Sequence, residues 1–345
     1  MSTLHREGRF FEDFVIGKVI QHATPRSFTD GDSSIYLALY GGRFATHSSK
    51  IFAQSMGFSE RPIDDWLVFH VVFGKTVPDI SVNAIANLGY AEGRFLAPVY
   101  AGDTLRAMST VLGMRENKSG ESGIVYIRTE GFNQNDLCVL SYCRWVMVRK
   151  RDKNAIISEQ EVPRLAAHVA AADLVPPIAD YSAFNVGDSG SDTFFDDYDR
   201  GQVIDHLDGV TMEDAEHMLA TRLYQNNARV HFDGFTQEKS RFGKRLIYGG
   251  HVISHVRAMS FNGLGNTFGV AGLNAGRHVA PIFHGDTIFA ASEVIDKVKI
   301  AGRSDLGAVR LRQVASKNKP FQGVIKDSDE DLILDLDIWV WMPRR

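Results

Sequence analysis

The chain has 345 residues, 38 Lys plus Arg against 42 Asp plus Glu, 44% hydrophobic and 10% aromatic, a composition that excludes disorder and collagen. Its formal charge of −4 supplies no clustered basic footprint for nucleic acid or an anionic membrane surface. At about 150 residues per domain the length allows two domains, each able to close an apolar core.

The N-terminal stretch Met1 to Phe10 lacks a signal peptide's apolar run, and no later segment approaches the length of a membrane span. Phe10-Phe11-Glu12-Asp13-Phe14, followed by Gly17, opens the patterned sequence. Trp66 to Val77 is apolar without alternation and predicts a central helix. Ile124 to Thr129 and Val139 to Val148 flank Asn133-Gln134-Asn135-Asp136, a hairpin signature. Cys138 and Cys143 lie five apart on one expected strand and so face opposite ways, which predicts reduced thiols and a cytoplasmic compartment. Residues 151–181 are rich in Ala and Pro and predict a connector, with Val175-Pro176-Pro177-Ile178 extended and a short helix over Glu161 to Ala172.

Beyond the connector the pattern repeats. Phe194-Phe195-Asp196-Asp197-Tyr198 answers the opening motif at an offset of 184, and Arg277 to Thr287 answers Arg94 to Thr104 at 183. His251 to Leu264 matches the first central helix, and Trp339-Val340 matches Trp145-Val146 after an expected insertion between Lys317 and Asp329. Leu332, Leu334, Leu336, Ile338 and Val340 alternate with Asp335 and Asp337 as a strand with one face on the core. Self-similarity over this length predicts two copies of one unit, residues 1–150 and 182–345, each with a long apolar helix and several antiparallel strands.

Leu39-Tyr40-Gly41-Gly42-Arg43-Phe44-Ala45-Thr46-His47, with Ala53-Gln54-Ser55-Met56-Gly57-Phe58 after it, resembles the MaoC-like enoyl-CoA hydratases, the hydratase 2 family. The Pro-x-x-x-Gly-Asp-Thr runs ending at Thr104 and Thr287 resemble that family's strand motif. The resemblance implies an α+β tandem double hot-dog, two antiparallel sheets each wrapped around a central helix and joined side by side. It also implies reversible hydration of a 2-enoyl-CoA, mesaconyl-CoA to and from β-methylmalyl-CoA, with no redox cofactor and no metal. Where the family carries its catalytic Asp, this chain has Gly42 and Asn226; both motif histidines, His47 and His231, are present.

Hydration needs water deprotonated as it attacks Cβ, a proton for Cα, and a partner for the enolate oxygen. His231 is the expected proton carrier, because imidazole titrates near neutrality. Asn226 can hold the water, and Asp233 is a candidate to orient the histidine or replace the missing carboxylate. Gly250 matches the glycine of the family's helix start, where free amides suit a developing negative charge. The first copy has Asp65 there, which would oppose an oxyanion and assigns catalysis to the second half, leaving His47 to catalysis or to packing on the acyl chain. Arg229 and Arg43 are candidates for a substrate carboxylate. Lys239, Arg241, Lys244 and Arg245 are candidates for the CoA phosphates, and Asn87, Gly89 and Tyr90 for the tunnel lining.

His251 and His255 have zinc-ligand spacing but lack the intervening Glu of a metalloprotease helix. Neither Gly41-Gly42 nor Gly249-Gly250 sits in a dinucleotide fingerprint. A hot-dog thioesterase and a non-catalytic acyl-CoA-binding protein are the competing functions, and the sheet edges of such folds predict a homodimer or higher homo-oligomer.

Overall fold

The computed structural model describes residues 7–177, 180–325 and 330–345. In the first half, β1 (Val19–Ser27) leads through α1 (Asp30–Tyr40), α2 (Ala45–Ser48), α3 (Lys50–Ser55) and α4 (Asp65–Thr76) to β2 (Ala84–Phe95), β3 (Thr104–Glu116), β4 (Ser122–Phe132) and β5 (Cys138–Arg149). After α5 (Val186–Ser189), the second half runs β6 (Val203–Thr211), α6 (Asp214–Leu223), α7 (Arg229–Phe232), α8 (Gly234–Gln237), α9 (Gly249–Met259), α10 (Phe261–Leu264), β7 (Gly269–His278), β8 (Thr287–Lys299), β9 (Leu306–Lys317) and β10 (Leu332–Pro343). The ten strands of the described residues form one antiparallel sheet in the order β1-β3-β4-β5-β2-β7-β10-β9-β8-β6. The halves meet where β2 pairs with β7, Tyr90 opposite Gly276 and Arg94 opposite Gly272.

The repeated motifs have the same local physics twice. Asp103 accepts from the Tyr100 amide at 2.8 Å and Asp286 from that of Phe283 at 2.9 Å. Gly102 and Gly285 take φ of 98° and 85°, a left-handed turn that suits glycine and aims the chain into β3 and β8. Every residue of α4 after Asp65 is buried, which is why this segment shows no polar stripe. The helix lies against β1, β3, β4 and β7, while α9 lies against β6, β8, β9 and β10.

Two expected helices are corrected. Residues 161–172 do not form one, because their polar groups bond to the sheet: Glu161 exchanges backbone bonds with Met114, Ala166 donates to Glu92, and Val169 donates to Asn274. The second central helix ends at Met259 instead of Leu264. Gly263 then turns to φ 96°, and the carbonyls of Asn262 and Gly263 are drawn to His206 Nδ1 and the Tyr198 hydroxyl. Residues 1–6, Ile178 and residues 326–329, which bear on the expected N-terminus, connector and insertion, lie outside the described residues. Cys138 and Cys143 are free thiols; burial pushes Cys143 up to about 11.

The halves also meet through helices. Tyr36 donates to Ser254 Oγ at 2.9 Å, and the Tyr40 hydroxyl lies 2.8 Å from His251 Nδ1 and bonds the Tyr224 hydroxyl. Gly74 of α4 sits so close to the end of α6 that a Cβ there would stand 2.0 Å from the Tyr224 carbonyl oxygen. Gly74→Ala is therefore expected to cost about 1–3 kcal/mol of stability, seen as a lower urea midpoint. An unchanged midpoint would show that α4 and α6 can part without loss.

Candidate active site

Both motif histidines are built alike. His231 on α7 has Nδ1 2.9 Å from the Leu246 carbonyl, and His47 on α2 has Nδ1 3.3 Å from that of Pro62. A carbonyl can only accept, so Nδ1 carries a hydrogen in each ring. Burial pushes His231 down to about 4, outweighing the Leu246 contact that raises it. The ring is thus neutral, with a free base nitrogen, at ordinary pH.

The helix starts next to the two histidines differ. In α4, Asp64 caps the end by accepting from the Trp66 amide at 2.9 Å, and Asp65 accepts from the Val270 amide at 2.8 Å. In α9, no side chain caps the first amides, so the positive end of the helix dipole stays available. Helix register pairs Asp65 with Gly249 and Trp66 with Gly250, one residue away from the expected match of Asp65 with Gly250. Both glycines are required by crowding. A Cβ on Gly249 would lie 2.2 Å from His278 Cε1, and one on Gly250 2.3 Å from the Tyr248 ring and 2.6 Å from His70.

Several buried polar atoms of the second half and of α4 have no protein partner. Among them are Asn226 Nδ2, His217 Nδ1, the Tyr248 hydroxyl and both ring nitrogens of His70. Asn226 is 5% exposed and fixes its own Oδ1 on the Ala228 amide at 3.1 Å, which turns the NH2 inward as a donor. His217 Nε2 accepts from the Tyr248 amide at 2.8 Å, so its hydrogen sits on Nδ1. The His217 and Tyr248 rings lie 6.0 and 5.2 Å from that of His231. Since buried polar groups are normally paired, the unpaired atoms of His217, Tyr248 and His70 mark a polar region at the start of α9.

The remaining candidates are dispersed. Asp233 is corrected: its carboxylate caps α8 by accepting from the Thr236 amide at 3.0 Å, the Thr236 bonds hold its pKa below the ordinary carboxylate value, and the Leu246 carbonyl orients the histidine instead. Arg43 and Arg229 are exposed, Arg43 lying over the Phe261 ring, so neither meets the desolvation expected of a carboxylate anchor. Arg245 pairs with Asp214 at 2.7 Å, while Lys239, Arg241 and Lys244 lie over Phe235, Phe242 and Phe283. Gly89 packs under Trp145. Asn87 accepts from Arg144 at 3.5 Å, and the Tyr90 hydroxyl reaches His278 Nε2 at 3.1 Å. Arg144 is 1% exposed, and it donates to the neutral Thr76, Ser81 and Asn87. Sequence spacing does not single out His70, Arg144, His217 or His278, and it marks Tyr90 only as a lining residue. A visible signal is His278 replacing the apolar Phe95 inside the repeated strand motif.

His251 and His255 bring their Nε2 atoms to 3.3 Å, and no group of three or more His, Cys, Asp or Glu able to hold a metal ion occurs among the described residues. No helix among the described residues is long and apolar enough to cross a membrane.

The whole chain superposes on a crystal structure of a MaoC domain dehydratase from Chloroflexus aurantiacus, with a TM-score of 0.97 at 53% identity over 100% of both chains. A Mycobacterium tuberculosis protein described as a double hot-dog matches in fold alone, TM-score 0.78 and 23% identity over 99% of each chain. The protein is an α+β, hot-dog-like hydro-lyase of the enoyl-CoA hydratase type. A family model described as mesaconyl-CoA hydratase matches residues 2–324. The β-methylmalyl-CoA dehydratase of Chloroflexus aurantiacus is 54% identical over 100% of both chains, and the mesaconyl-CoA hydratase of Cereibacter sphaeroides 52% identical over 98% of each. The chain belongs to the mesaconyl-CoA hydratase family.

The buried imidazoles make stability depend on pH. Burial pushes His70 and His217 down to about 3, and His206, His231, His255 and His278 to about 4. Unfolded, each protonates near 6.5, so below that pH the unfolded chain binds more protons. Stability is fully present above about 6.5 and is lost as pH falls through the folded values. Asp65, which burial pushes up to about 6, works in the opposite direction but is one group against those six and His251, which burial also lowers. The urea midpoint is expected to drop steadily from pH 7 to pH 5, and a flat profile would mean that these rings take up protons as readily in the folded protein as in the unfolded chain.

Proposed function

We propose that the protein hydrates mesaconyl-CoA reversibly to β-methylmalyl-CoA in its C-terminal half. The observation that supports this placement is the contrast between helix starts: α4 is capped by Asp64, and α9 begins on two glycines with no side-chain cap. The substrate's thioester oxygen faces the Gly250 amide, and Asn226 holds water beside Cβ. His231 Nε2 removes a proton from that water as its oxygen bonds Cβ. The π electrons move toward the thioester, the enolate oxygen gains charge against the helix terminus, and the imidazolium returns its proton to Cα. Atoms balance as one added water, and no electrons are exchanged.

The repeat supports dividing the chain into residues 1–150, a connector over 151–181, and residues 182–345, as a tandem double hot-dog in which each half-sheet wraps its helix. Lys239, Arg241 and Lys244, all exposed beyond α8, suit the CoA phosphates. The outer strands β1 and β6 leave edges that suit homo-oligomer pairing, and the two free thiols suit a cytoplasmic setting.

One observation favours the other half. Two cavities meet at His47, one lined by Tyr36, Gly42, Asp64 and Arg257, the other by Asp65, Phe95 and Trp341. A carboxyl pushed up to about 6 beside a histidine is also what thioester hydrolysis would use. Loss of the conjugated enoyl-thioester absorbance without free thiol distinguishes hydration from hydrolysis. His231→Ala is expected to lose roughly 10²–10⁴-fold in kcat and Asn226→Ala about 10²-fold, with His47→Ala much less affected. Abolition by His47→Ala with full activity in His231→Ala would move the chemistry to the N-terminal half. Because His231 is neutral above about 4, kcat/KM is expected to show no acid limb between pH 7 and pH 6.

A further inference from the structure

His278 ends β7 with its ring against the first turn of α9. The imidazole packs so tightly on Gly249 that an added Cβ would stand 2.2 to 2.7 Å from Cε1, Nδ1 and Nε2. The Tyr90 hydroxyl, on the neighbouring strand from the other half, lies 3.1 Å from His278 Nε2. Tyr90 is 1% exposed, and burial holds its phenol un-ionised. A buried hydroxyl hydrogen needs an acceptor, and His278 Nε2 is the acceptor the structure offers, so Tyr90 donates and the ring hydrogen of His278 sits on Nδ1. Nδ1 is also on the edge of the ring that faces Gly249.

The repeat shows what this position faces. Its counterpart Phe95 lines the cavity that His47 and Asp65 line in the first half, so the same point of the fold borders the motif histidine twice, once as Phe and once as His. Resting on the C-terminal reading of the site, we propose that His278 is a further catalytic residue, a neutral imidazole whose Nδ1–H donates to the enolate oxygen together with the Gly250 amide. It transfers no proton. Tyr90 is a positioning residue that fixes the tautomer, and His231 remains the base. A neutral histidine acting as electrophile suits a site in which the family's carboxylate is replaced by Asn226, since both imidazoles keep opposite hydrogen-bonding roles at one pH.

The test uses the full chain with mesaconyl-CoA, and acetoacetyl-CoA as an analogue whose bound enolate absorbs in the near ultraviolet. His278→Phe, which installs the residue of the first copy, is expected to lower kcat roughly 10²–10³-fold with KM changed only a few-fold. It is also expected to abolish the enolate band of bound acetoacetyl-CoA. His278→Gln retains a donor of similar reach and should recover part of both, while Tyr90→Phe should weaken the enolate band without altering overall secondary structure. If His278→Phe fails to fold, His278→Gln and Tyr90→Phe carry the same comparison. Wild-type kcat and an intact enolate band in the folded His278 variants, alongside an inactive His231→Ala, overturn the role of His278 alone. An effect confined to KM also overturns it, because a ground-state contact would not change the enolate. Wild-type protein that leaves mesaconyl-CoA unhydrated overturns the underlying reading instead.

Discussion

The bare N-terminus of α9 is the constraint on which the site depends. A helix start has amides with no intrahelical acceptor and a partial positive charge, and proteins ordinarily answer it with a capping side chain. Here the two first positions are glycines pressed between His278, Tyr248 and His70. Any side chain at either position would collide with those rings. The same Tyr248 ring that crowds Gly250 also packs on His231, whose Nδ1 is held by the Leu246 carbonyl.

Duplication makes the asymmetry interpretable. The two halves share strand order, turn chemistry and the histidine–carbonyl clamp, and differ at the helix start. In the first half Asp64 occupies the amides and Asp65 holds the β7 backbone at Val270, so that helix terminus has become part of the joint between halves. The second half keeps its terminus open and borrows His70 and Tyr90 from the first. The halves thus differ, one helix start bracing the joint and the other left uncapped, within a single continuous sheet.

Much of the fold is legible in the residues themselves. Alternation from Leu332 onward marks β10, the unbroken apolar run marks α4, and Gly-Asp-Thr marks each turn into a long strand. The connector reads as partly helical because its actual partners, Met114, Glu92 and Asn274, lie on strands distant in sequence, and propensity cannot report them. The positions of His231 and Asn226 follow from motif spacing. Those of His217, His70 and His278 do not, since they converge only when α4, α6 and β7 pack across the halves. Asp233 is suggested by proximity along the chain, although local geometry turns its carboxylate to α8.

The pairing of β2 with β7 has a corollary for the tandem arrangement. Severed from its neighbour, the C-terminal half would present β7 as a naked template strand and would recruit a second copy of itself there. Such a symmetric pair would restore the edge, yet by the repeat it would bring Ser254 where His70 now stands and Leu273 where Tyr90 now stands. Neither an imidazole nor a phenol would then reach across. Covalent fusion of two diverged copies is therefore what permits one helix start to be furnished with groups that self-association could never deliver.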